Sequence, residues 1–209
     1  MLETCHCFAF VVGGAIEDYH ATAQLIKKVP CVISVDGGLE HCHKMGIHPD
    51  MIMGDFDSVP PELLREYADV PIRSFPTEKD ESDLELALQS IFTPAVEKMT
   101  VFGGLGKRLD HTLANLHVMR RYPGKCYFET ERELIFALDG STDIPCRPGQ
   151  TISFMQMDDN TKGVTSKGLK WELHDATFSK YFFSLSNICL SHVVKITLAS
   201  GDLICCLQK

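Results

Sequence analysis

Short apolar runs alternate with amphipathic segments through the first 130 residues of the chain. The run Cys7–Val12 ends at a glycine pair, and apolar residues at helical spacing follow it over Tyr19–Ile26. Further strands are predicted at Cys31–Val35, Met51–Met53, Ile72–Phe75 and Thr100–Phe102. Strands that alternate with helices are typical of a doubly wound, largely parallel sheet. We therefore predict an α/β domain over residues 1–130.

Two later helices of this domain are predicted from their first residues. Ser82 begins one of them, because Glu85 stands three residues later, as a capping box requires, and an apolar stripe follows. Asp83 therefore falls in the first turn of that helix. The other helix is predicted to begin near Asp110. Its predicted apolar residues are Leu113, Leu116 and Met119.

Beyond residue 130 the pattern changes to short apolar runs separated by turn-forming residues. The predicted strands are Glu133–Leu138, Thr151–Met155, Leu169–Leu173, Tyr181–Leu185, Val193–Leu198 and Leu203–Leu207. Gly201-Asp202 lies between the last two runs and predicts a hairpin turn. We therefore predict an all-β, sandwich-like domain over residues 131–209, following the α/β domain.

The composition excludes several classes of protein. Hydrophobic residues make up 44% of the 209 residues and charged residues 23%, which is ordinary for a folded domain. A net charge of −8 without a run of Lys and Arg disfavours nucleic acid as a partner. The N-terminus lacks the pattern of a secretion signal, and no apolar stretch is long enough to span a bilayer. We expect a cytoplasmic protein whose cysteines are mostly small buried side chains.

Acidic residues with possible chemistry lie in three short motifs. The motifs are Gly54-Asp55-Phe56-Asp57-Ser58, Lys79-Asp80-Glu81-Ser82-Asp83 and Gly103-Gly104-Leu105-Gly106-Lys107-Arg108-Leu109-Asp110. Carboxylate oxygens suit Mg²⁺, while Lys, Arg and glycine amides can hold phosphate oxygens. The first and third of these motifs follow predicted parallel strands, and so do Gly13-Gly14 and Asp36-Gly37-Gly38. The carboxyl ends of such strands form the sheet edge where ligands bind. The residues predict one divided site for metal and phosphate.

Each motif also has a purely structural interpretation. Asp55 and Asp57 could be ordinary turn residues, and Asp83 could stabilise its helix through the helix dipole. The glycine-rich loop is not a P-loop, because no Lys-Ser/Thr follows its last glycine directly, and it does not match the dinucleotide fingerprint. His111 and His117 are expected to serve packing or hydrogen bonding. Neither Cys5-His6-Cys7 nor His41-Cys42-His43 has the spacing of a zinc site.

The single tryptophan of the chain lies in the β half. Trp171 follows Gly168-Leu169-Lys170, and Ser184-Leu185-Ser186-Asn187 lies downstream. Core packing is the default interpretation of such a residue. The alternative is a flat platform for an aromatic or cationic ligand. The sequence pattern does not choose between the two.

The order of these motifs resembles that of the thiamine pyrophosphokinase family over nearly the whole chain. The matching motifs are Asp36-Gly37-Gly38, Pro49-Asp50 before Gly54–Ser58, Asp80–Asp83 with Leu86-Ala87-Leu88, Gly103–Asn115, Gly168–Trp171 and Ser184–Asn187. Two positions depart from the family pattern. Ser82 stands where Thr is usual, which keeps the hydroxyl, and Leu39 stands where a small residue is usual.

The resemblance implies transfer of the pyrophosphoryl group of ATP to the hydroxyl of thiamine, which gives thiamine diphosphate and AMP. The implied catalytic residues are Asp55, Asp57, Asp83, Asp110 and Arg108, and the four aspartates would also hold Mg²⁺. The implied ATP-binding residues are Gly13, Gly14, Asp36, Gly37, Gly104, Lys79, Lys107 and Arg108. The implied thiamine-binding residues are Trp171, Ser184, Asn187 and Asp83. The resemblance further implies a homodimer with thiamine between subunits, while the charge and hydropathy of the chain give no expectation of a nucleic-acid or membrane partner.

Three other functions remain open at the level of sequence. A related pyrophosphokinase acting on another aromatic alcohol, such as a pterin, would use the same donor chemistry. A metal-dependent phosphohydrolase could use the same aspartates to activate water. A protein that binds thiamine or a nucleotide without turnover would not need all of these carboxylates.

Overall fold

The computed structural model describes residues 4–157 and 160–209, which fall into two compact units. The first unit comprises the described residues up to Val118 together with Phe128–Glu131, and the second comprises Met119–Tyr127 and the described residues from Arg132 onward. The first is built on a parallel sheet with helices and the second on antiparallel sheets, so the predicted fold class is confirmed.

The first unit contains five parallel strands in the order β5-β1-β2-β3-β4. They are β1 (Cys7–Val11), β2 (Cys31–Val35), β3 (Met51–Gly54), β4 (Ile72–Ser74) and β5 (Lys98–Phe102). The helices are α1 (Tyr19–Ile26), α2 (Gly38–Met45), α3 (Pro61–Glu66), α4 (Asp83–Ile91) and α5 (Leu109–Met119). Because β5 adds on the opposite side of β1 from β2, the strand order reverses between β1 and β5, where doubly wound sheets bind ligands.

The buried strands of this unit explain why its sheet was predictable. All five residues of β2 are buried, as are the last four of β1 and of β5. Strands covered on both faces appear in sequence as continuous apolar runs rather than as alternation. Ala23 and Ile26 of α1 and Cys42 of α2 pack with β1 and β2 in one core cluster.

Of the apolar residues predicted for α5, Met119 is buried and Leu116 is half-buried, but Leu113 is not buried. Leu113 is 47% exposed, and the buried residues of the helix are Asn115, Val118 and Met119. The Nδ2 atom of Asn115 donates a hydrogen bond of 2.8 Å to the carbonyl oxygen of Gly104. A polar side chain therefore occupies the inward face, where an apolar stripe was expected, and it connects α5 to the glycine-rich loop.

The second unit contains two antiparallel sheets around one core. One sheet has the order β11-β9-β13-β7 and the other has the order β10-β12-β8. The strands are β7 (Glu133–Leu138), β8 (Thr142–Pro145), β9 (Thr151–Met155), β10 (Thr165–Lys167), β11 (Ser184–Ile188), β12 (Val193–Thr197) and β13 (Leu203–Gln208). Side chains from both sheets, including Phe154 and Ile196, pack in a single cluster. Strand β6 (Cys126–Glu129), which the sequence pattern missed, has residues in both units.

Several predictions for this half were wrong in detail. Gly201-Asp202 does not close a hairpin, because β12 pairs with β8 and β10 whereas β13 pairs with β7 and β9. Leu169–Leu173 is a bent segment and not a strand, although Leu169 makes one bridge to Cys189. The strand expected from Tyr181 begins at Ser184. Within the part of the chain that the structure describes, no helix is long and apolar enough to cross a membrane.

Candidate functional site

A cavity of about 420 Å³ opens in the first unit at the carboxyl ends of the parallel strands. It is lined by the loops that follow β1, β2 and β5 and by the beginning of α4. This volume lies within the range of small-molecule sites. Gly13-Gly14, Asp36-Gly37 and Gly103-Gly104, which were predicted to converge at this edge, line the cavity, and Asp83 lines it as well. Asp55 and Asp57, predicted at the same edge, do not line it but lie close to Asp36.

Three carboxylates lie together beside this cavity. One oxygen each from Asp36, Asp55 and Asp57 lies within 4.8 Å of the other two. Parallel pairing of β2 with β3 brings Asp36 next to Asp55, because each aspartate directly follows its strand. Phe56 adopts a positive φ of 63° and packs against the core beneath the loop, which leaves the two flanking aspartates outside the core.

The surroundings of Asp36 suit a cation. The hydroxyl of Ser58 donates to Oδ2 of Asp36 at 2.9 Å, while the buried Oδ1 atom has no hydrogen-bond partner among the described residues. A buried carboxylate oxygen without a partner is costly unless a ligand satisfies it. With Asp55 and Asp57 it forms a set of oxygen donors of the kind that hard divalent cations require.

Lys79 joins this carboxylate group to Asp83 at the start of α4. Its ammonium nitrogen lies 2.8 Å from Oδ2 of Asp55 and 3.2 Å from Oδ1 of Asp83, and the side chain is only 9% exposed. The contact with Asp83 is an ion pair without hydrogen-bond geometry, since Oδ1 of Asp83 has no hydrogen-bond partner among the described residues. The amine also donates to the carbonyl of Pro76 at 2.7 Å.

The two carboxylates that share Lys79 have pKa values shifted in opposite directions. The hydrogen bond from Lys79 lowers the pKa of Asp55. Burial raises the pKa of Asp83, and the nearby charges of Asp55 and Asp36 add to that effect against the opposing influence of Lys79. Burial also opposes the charge on Lys79, but its hydrogen bond to Asp55 and its close ion pair with Asp83 outweigh that effect and raise the pKa of the amine. The site thus contains one more acidic and one less acidic carboxylate.

The structure does not bring Asp110 into the three-carboxylate group. Asp110 is paired with Arg108, whose Nη2 atom donates to Oδ2 at 2.6 Å, and both side chains are about two-thirds exposed. The hydrogen bond from Arg108 lowers the pKa of Asp110 to about 2. Arg108 lines the cavity together with Lys107. The two predicted cations therefore lie at the cavity, while Asp110 binds one of them.

The glycine pair after β1 serves close packing of backbone on backbone. The N–H of Gly14 donates to the carbonyl of Gly103 at 2.8 Å, and that of Ala15 donates to the carbonyl of Leu105 at 2.7 Å. A Cβ atom at Gly14 would lie 2.1 Å from the Gly103 oxygen, so no side chain fits there. The Gly14 amide is consequently not available to a phosphate, contrary to the simplest view of a phosphate-binding glycine. Lys107 donates to the carbonyl of Gly13 at 2.8 Å and holds the same loop.

Helix α2 begins at the same cavity. Its N-cap, Gly37, has no side chain to accept a hydrogen bond from the first turn, and Gly37 lines the cavity. Unpaired amides at the start of a helix, with the positive end of its dipole, favour an anionic ligand. Together with Lys107 and Arg108, this end of α2 provides positive potential at the cavity.

Of the four predicted thiamine residues, Trp171, Ser184 and Asn187 lie in the second unit, whereas Asp83 lies in the first. Trp171 is 55% exposed, which excludes the interpretation as a core residue, and Nζ of Lys170 lies 4.6 Å from its ring centroid. Asn187 is buried and uses its amide on the backbone of Trp171, accepting from Trp171 N–H at 3.1 Å and donating to its carbonyl at 2.7 Å. Ser184 is half-buried in β11. Asn187 therefore holds Trp171 in place.

Sequence reasoning missed three contributors to these sites. Asp36 was expected to bind the nucleotide and not to stand among the metal-binding carboxylates, and no role was foreseen for Ser58. Glu172, also missed, accepts hydrogen bonds from the backbone amides of Gly168 and Leu169 at 2.7 and 3.1 Å and shapes the turn that presents Trp171. The adjacency of β2 and β3 was the signal that could have identified Asp36.

Two protein-family models match the chain. The model for the thiamin pyrophosphokinase catalytic domain matches residues 22–129, and the model for the thiamin pyrophosphokinase vitamin B1 binding domain matches residues 141–203. The chain is 28% identical over 176 residues to thiamine pyrophosphokinase 1 of Oryza sativa subsp. japonica, a match that covers 77% of this chain and 66% of the rice protein. It is 28% identical over 157 residues to thiamine pyrophosphokinase of Bacillus subtilis, covering 74% and 70%.

Solved structures share the fold of the whole chain. The thiamin pyrophosphokinase of Geobacillus thermodenitrificans superposes with a TM-score of 0.86 at 22% identity, covering 97% of each chain. The thiamin pyrophosphokinase of Candida albicans superposes with a TM-score of 0.81 at 18% identity, covering 99% of this chain and 90% of the other. At these identities the likeness concerns the fold alone.

Proposed function

Because the chain belongs to the thiamin pyrophosphokinase family, we propose that it transfers the pyrophosphoryl group of ATP to the hydroxyl of thiamine, giving thiamine diphosphate and AMP. The observation that carries this proposal is that Lys79, whose side chain is 9% exposed, joins the group of Asp36, Asp55 and Asp57 to Asp83. Phosphoryl-type transfer depends on positioning and charge neutralisation and needs no covalent nucleophile. This site offers both.

Mg²⁺ is the proposed cofactor. Asp36, Asp55 and Asp57 would hold it, because they supply three adjacent oxygen donors and one of these side chains has an unsatisfied buried oxygen. When bound, the ion would neutralise negative charge on the phosphate oxygens. Asp83 and Asp110, which were also predicted as ligands, lie outside this group of adjacent oxygen donors, so we do not assign them to the metal ion.

Residues of the chain are proposed to bind the triphosphate, to accept the proton and to neutralise the developing charge. Lys107, Arg108 and the N-terminus of α2 attract the triphosphate to the cavity. Asp83 accepts the proton of the attacking alcohol, because its raised pKa makes it the more basic of the two carboxylates that share Lys79. Lys79 offsets the charge that develops as the alcohol attacks the β-phosphorus and AMP departs.

The acceptor specificity is assigned to the second unit. The exposed face of Trp171 would stack on the aromatic rings of thiamine, and the cation of Lys170 already lies over that indole. Ser184 would contact a polar edge of the substrate, while Asn187 and Glu172 keep the segment Gly168–Trp171 in shape. This feature favours thiamine over a pterin as the acceptor.

We also propose a cytoplasmic homodimer. The nine cysteines of the chain are free thiols, as is usual in a reducing compartment. Tyr181, Phe182, Phe183 and Leu185 expose from 42% to 85% of their surface along one segment of the second unit. A run of exposed apolar side chains of this kind is typical of a surface that contacts another protein.

The proposal is tested by measuring AMP release from ATP and Mg²⁺ with and without thiamine, and by following the product by mass. Thiamine-dependent AMP with thiamine diphosphate as product is the expected result. Phosphate or AMP without thiamine would instead indicate a phosphohydrolase or another acceptor. Nucleotide binding without any turnover would favour a binding protein.

The carboxylate assignment is tested with Asp57→Asn, which we expect to lower turnover at least about 100-fold while leaving the fold intact. Asp80→Asn is the matched control, because Asp80 is exposed on a neighbouring loop and lies outside the three-carboxylate group. Near-normal turnover in Asp57→Asn would contradict the metal assignment. So would a loss of the same size in the Asp80 variant.

A further inference from the structure

His41 connects three elements beneath the cavity. It lies on α2 and is 4% exposed. Its Nε2 atom lies 2.9 Å from the carbonyl oxygen of Gly14, in the loop after β1, and its Nδ1 atom lies 2.8 Å from the hydroxyl of Tyr19 at the start of α1. Both ring nitrogens are therefore in use, and the ring also lines the cavity.

The partners of His41 determine its tautomer. A carbonyl oxygen can only accept, so Nε2 must carry a proton and donate it to Gly14. In a neutral ring Nδ1 is then an acceptor, and the hydroxyl of Tyr19 donates to it. Burial lowers the pKa of His41, and the nearby cations Lys107 and Lys44 lower it further. The hydrogen bond to Gly14 and the charge of Glu40 raise this pKa but do not outweigh the other effects. The ring is a neutral, oriented donor to one backbone oxygen.

This donor completes the bonding of the loop after β1. The N–H of Gly14 is bound by Gly103, its carbonyl by His41, and the carbonyl of Gly13 by Lys107. Because no side chain fits at Gly14, the loop has no side-chain packing there to hold it, and these polar contacts set its position. Gly103 thus holds the N–H of Gly14, while His41 of α2 holds its carbonyl oxygen.

We infer that His41 is a positioning residue for nucleotide binding: through the Nε2–H contact with Gly14 it keeps the Gly13-Gly14 loop in the shape that the nucleotide requires. The inference rests on the proposed function in taking ATP as the ligand of this cavity. His41 is one step away from the reacting atoms in this scheme, because its two polar atoms are already bound by protein groups. Its loss should therefore weaken nucleotide binding more than it slows the chemical step.

Two substitutions separate positioning from general support of the fold. In His41→Gln the side-chain amide reaches about as far as Nε2 of the histidine and can still donate a hydrogen bond to the carbonyl of Gly14. In His41→Asn the amide reaches only as far as Nδ1, so it can keep the hydrogen bond with Tyr19 but not the one with Gly14. Both remove an aromatic ring from the same buried place, so both should lower the melting temperature by similar amounts. A purely structural role would make the two variants alike in binding as well.

The experiment measures ATP binding to the full chain by titration without thiamine, together with KM for ATP, KM for thiamine and kcat. We expect His41→Asn to weaken ATP binding about tenfold and to raise KM for ATP equally, the size of one lost hydrogen bond, with KM for thiamine unchanged. His41→Gln should stay within about threefold of the parent in each quantity. Tyr19→Phe keeps the contact between His41 and Gly14, so its ATP affinity and its KM for ATP should be close to those of His41→Gln.

Several outcomes would overturn the inference. Equal ATP affinity in the Asn and Gln variants would show that His41 contributes only packing. A fall in kcat with unchanged ATP affinity would indicate that His41 acts in the chemical step. Failure of the parent protein to bind ATP would remove the ligand on which the inference depends. Failure of the proposed function would look different, because ATP binding and its dependence on His41 would persist while no thiamine-dependent AMP was formed.

Discussion

Lys79 determines how the acidic residues of the site are divided between roles. One ammonium group contacts both Asp55 and Asp83, yet it lowers the pKa of Asp55 while burial raises the pKa of Asp83. A site that must bind a cation and also accept a proton benefits from two carboxylates of different basicity. In the proposed mechanism, Asp55 is thus suited to stay ionised beside a metal ion, and Asp83 to take the proton of the alcohol.

Replacing Lys79 by Met should alter the pH dependence of the reaction as well as its rate. Lys79 lowers the pKa of both carboxylates, so its removal raises both. A carboxylate with a higher pKa ionises only at higher pH, and the acid limb of the profile of kcat/KM should therefore move upward in pH. We expect a loss of at least about 100-fold at neutral pH.

The pH profile of Lys79→Arg provides the comparison. Arginine keeps the positive charge but not the compact ammonium geometry. We expect its acid limb to stay near that of the parent even if its rate falls. An unshifted acid limb in Lys79→Met would show that neither Asp55 nor Asp83 governs the ionisation seen in the rate.

At the scale of elements, the N-terminus of α4 places Asp83. Ser82 is the N-cap, and its side chain accepts a hydrogen bond from the N–H of Glu85 at 3.2 Å, as the capping box predicted. Ser82→Ala should lower the free energy of unfolding by about 1 kcal/mol, which corresponds to roughly 2–4 °C in the melting temperature of a chain of this size. Thermal unfolding followed by circular dichroism measures the change.

Ser82→Thr is the control for this substitution, because threonine keeps the capping hydroxyl. It should retain both stability and turnover, whereas Ser82→Ala should also lose turnover, since the cap fixes the first turn that carries Asp83. A destabilised Ser82→Ala variant with full activity would mean that the position of Asp83 does not depend on the cap.

The sequence predicted elements well where burial or capping left a local signal. β1, β2 and β5 are buried apolar runs, and α4 begins at its capping residue. It predicted poorly where pairing between distant segments decides the structure. The short strand β10 alternates exposed and buried residues and exists through its pairing with β12, and the segment between β12 and β13 leads from one sheet to another.

The same distinction applies to the site. Asp55 and Asp57 are recognisable because they flank one residue in one motif, and the resemblance to a family added the roles of Asp83 and Trp171. The place of Asp36 beside them depends on the parallel register of β2 and β3, in which Val35 is paired with Met53. No spacing along the chain encodes that neighbour, and the hydrogen bonds of His41 to Tyr19 and Gly14 are equally non-local.

At the scale of the whole molecule, the groups assigned to ATP and those assigned to the rings of thiamine belong to different units. The cavity, the carboxylates and the phosphate-attracting groups lie in the first unit, whereas Trp171 and the residues that hold it lie in the second. If each unit recognises its own substrate, substitutions in one unit should change the Michaelis constant of one substrate only. The exposed position of Trp171 allows this to be tested with little change in stability.

Trp171→Ala should raise KM for thiamine about tenfold or more, because it removes a stacking surface, while KM for ATP and the melting temperature stay near the parent values. Trp171→Phe should recover part of the affinity, since phenylalanine keeps a smaller aromatic face. Leu190→Ala is the matched control, because Leu190 is a large apolar side chain of the same unit, is 59% exposed and lies outside the exposed segment proposed as the dimer contact. Equal effects of the two alanine substitutions on KM for thiamine would contradict the assignment of Trp171. A rise in KM for ATP alone would indicate that Trp171 contacts the nucleotide. Thiamine would then have no assigned aromatic contact.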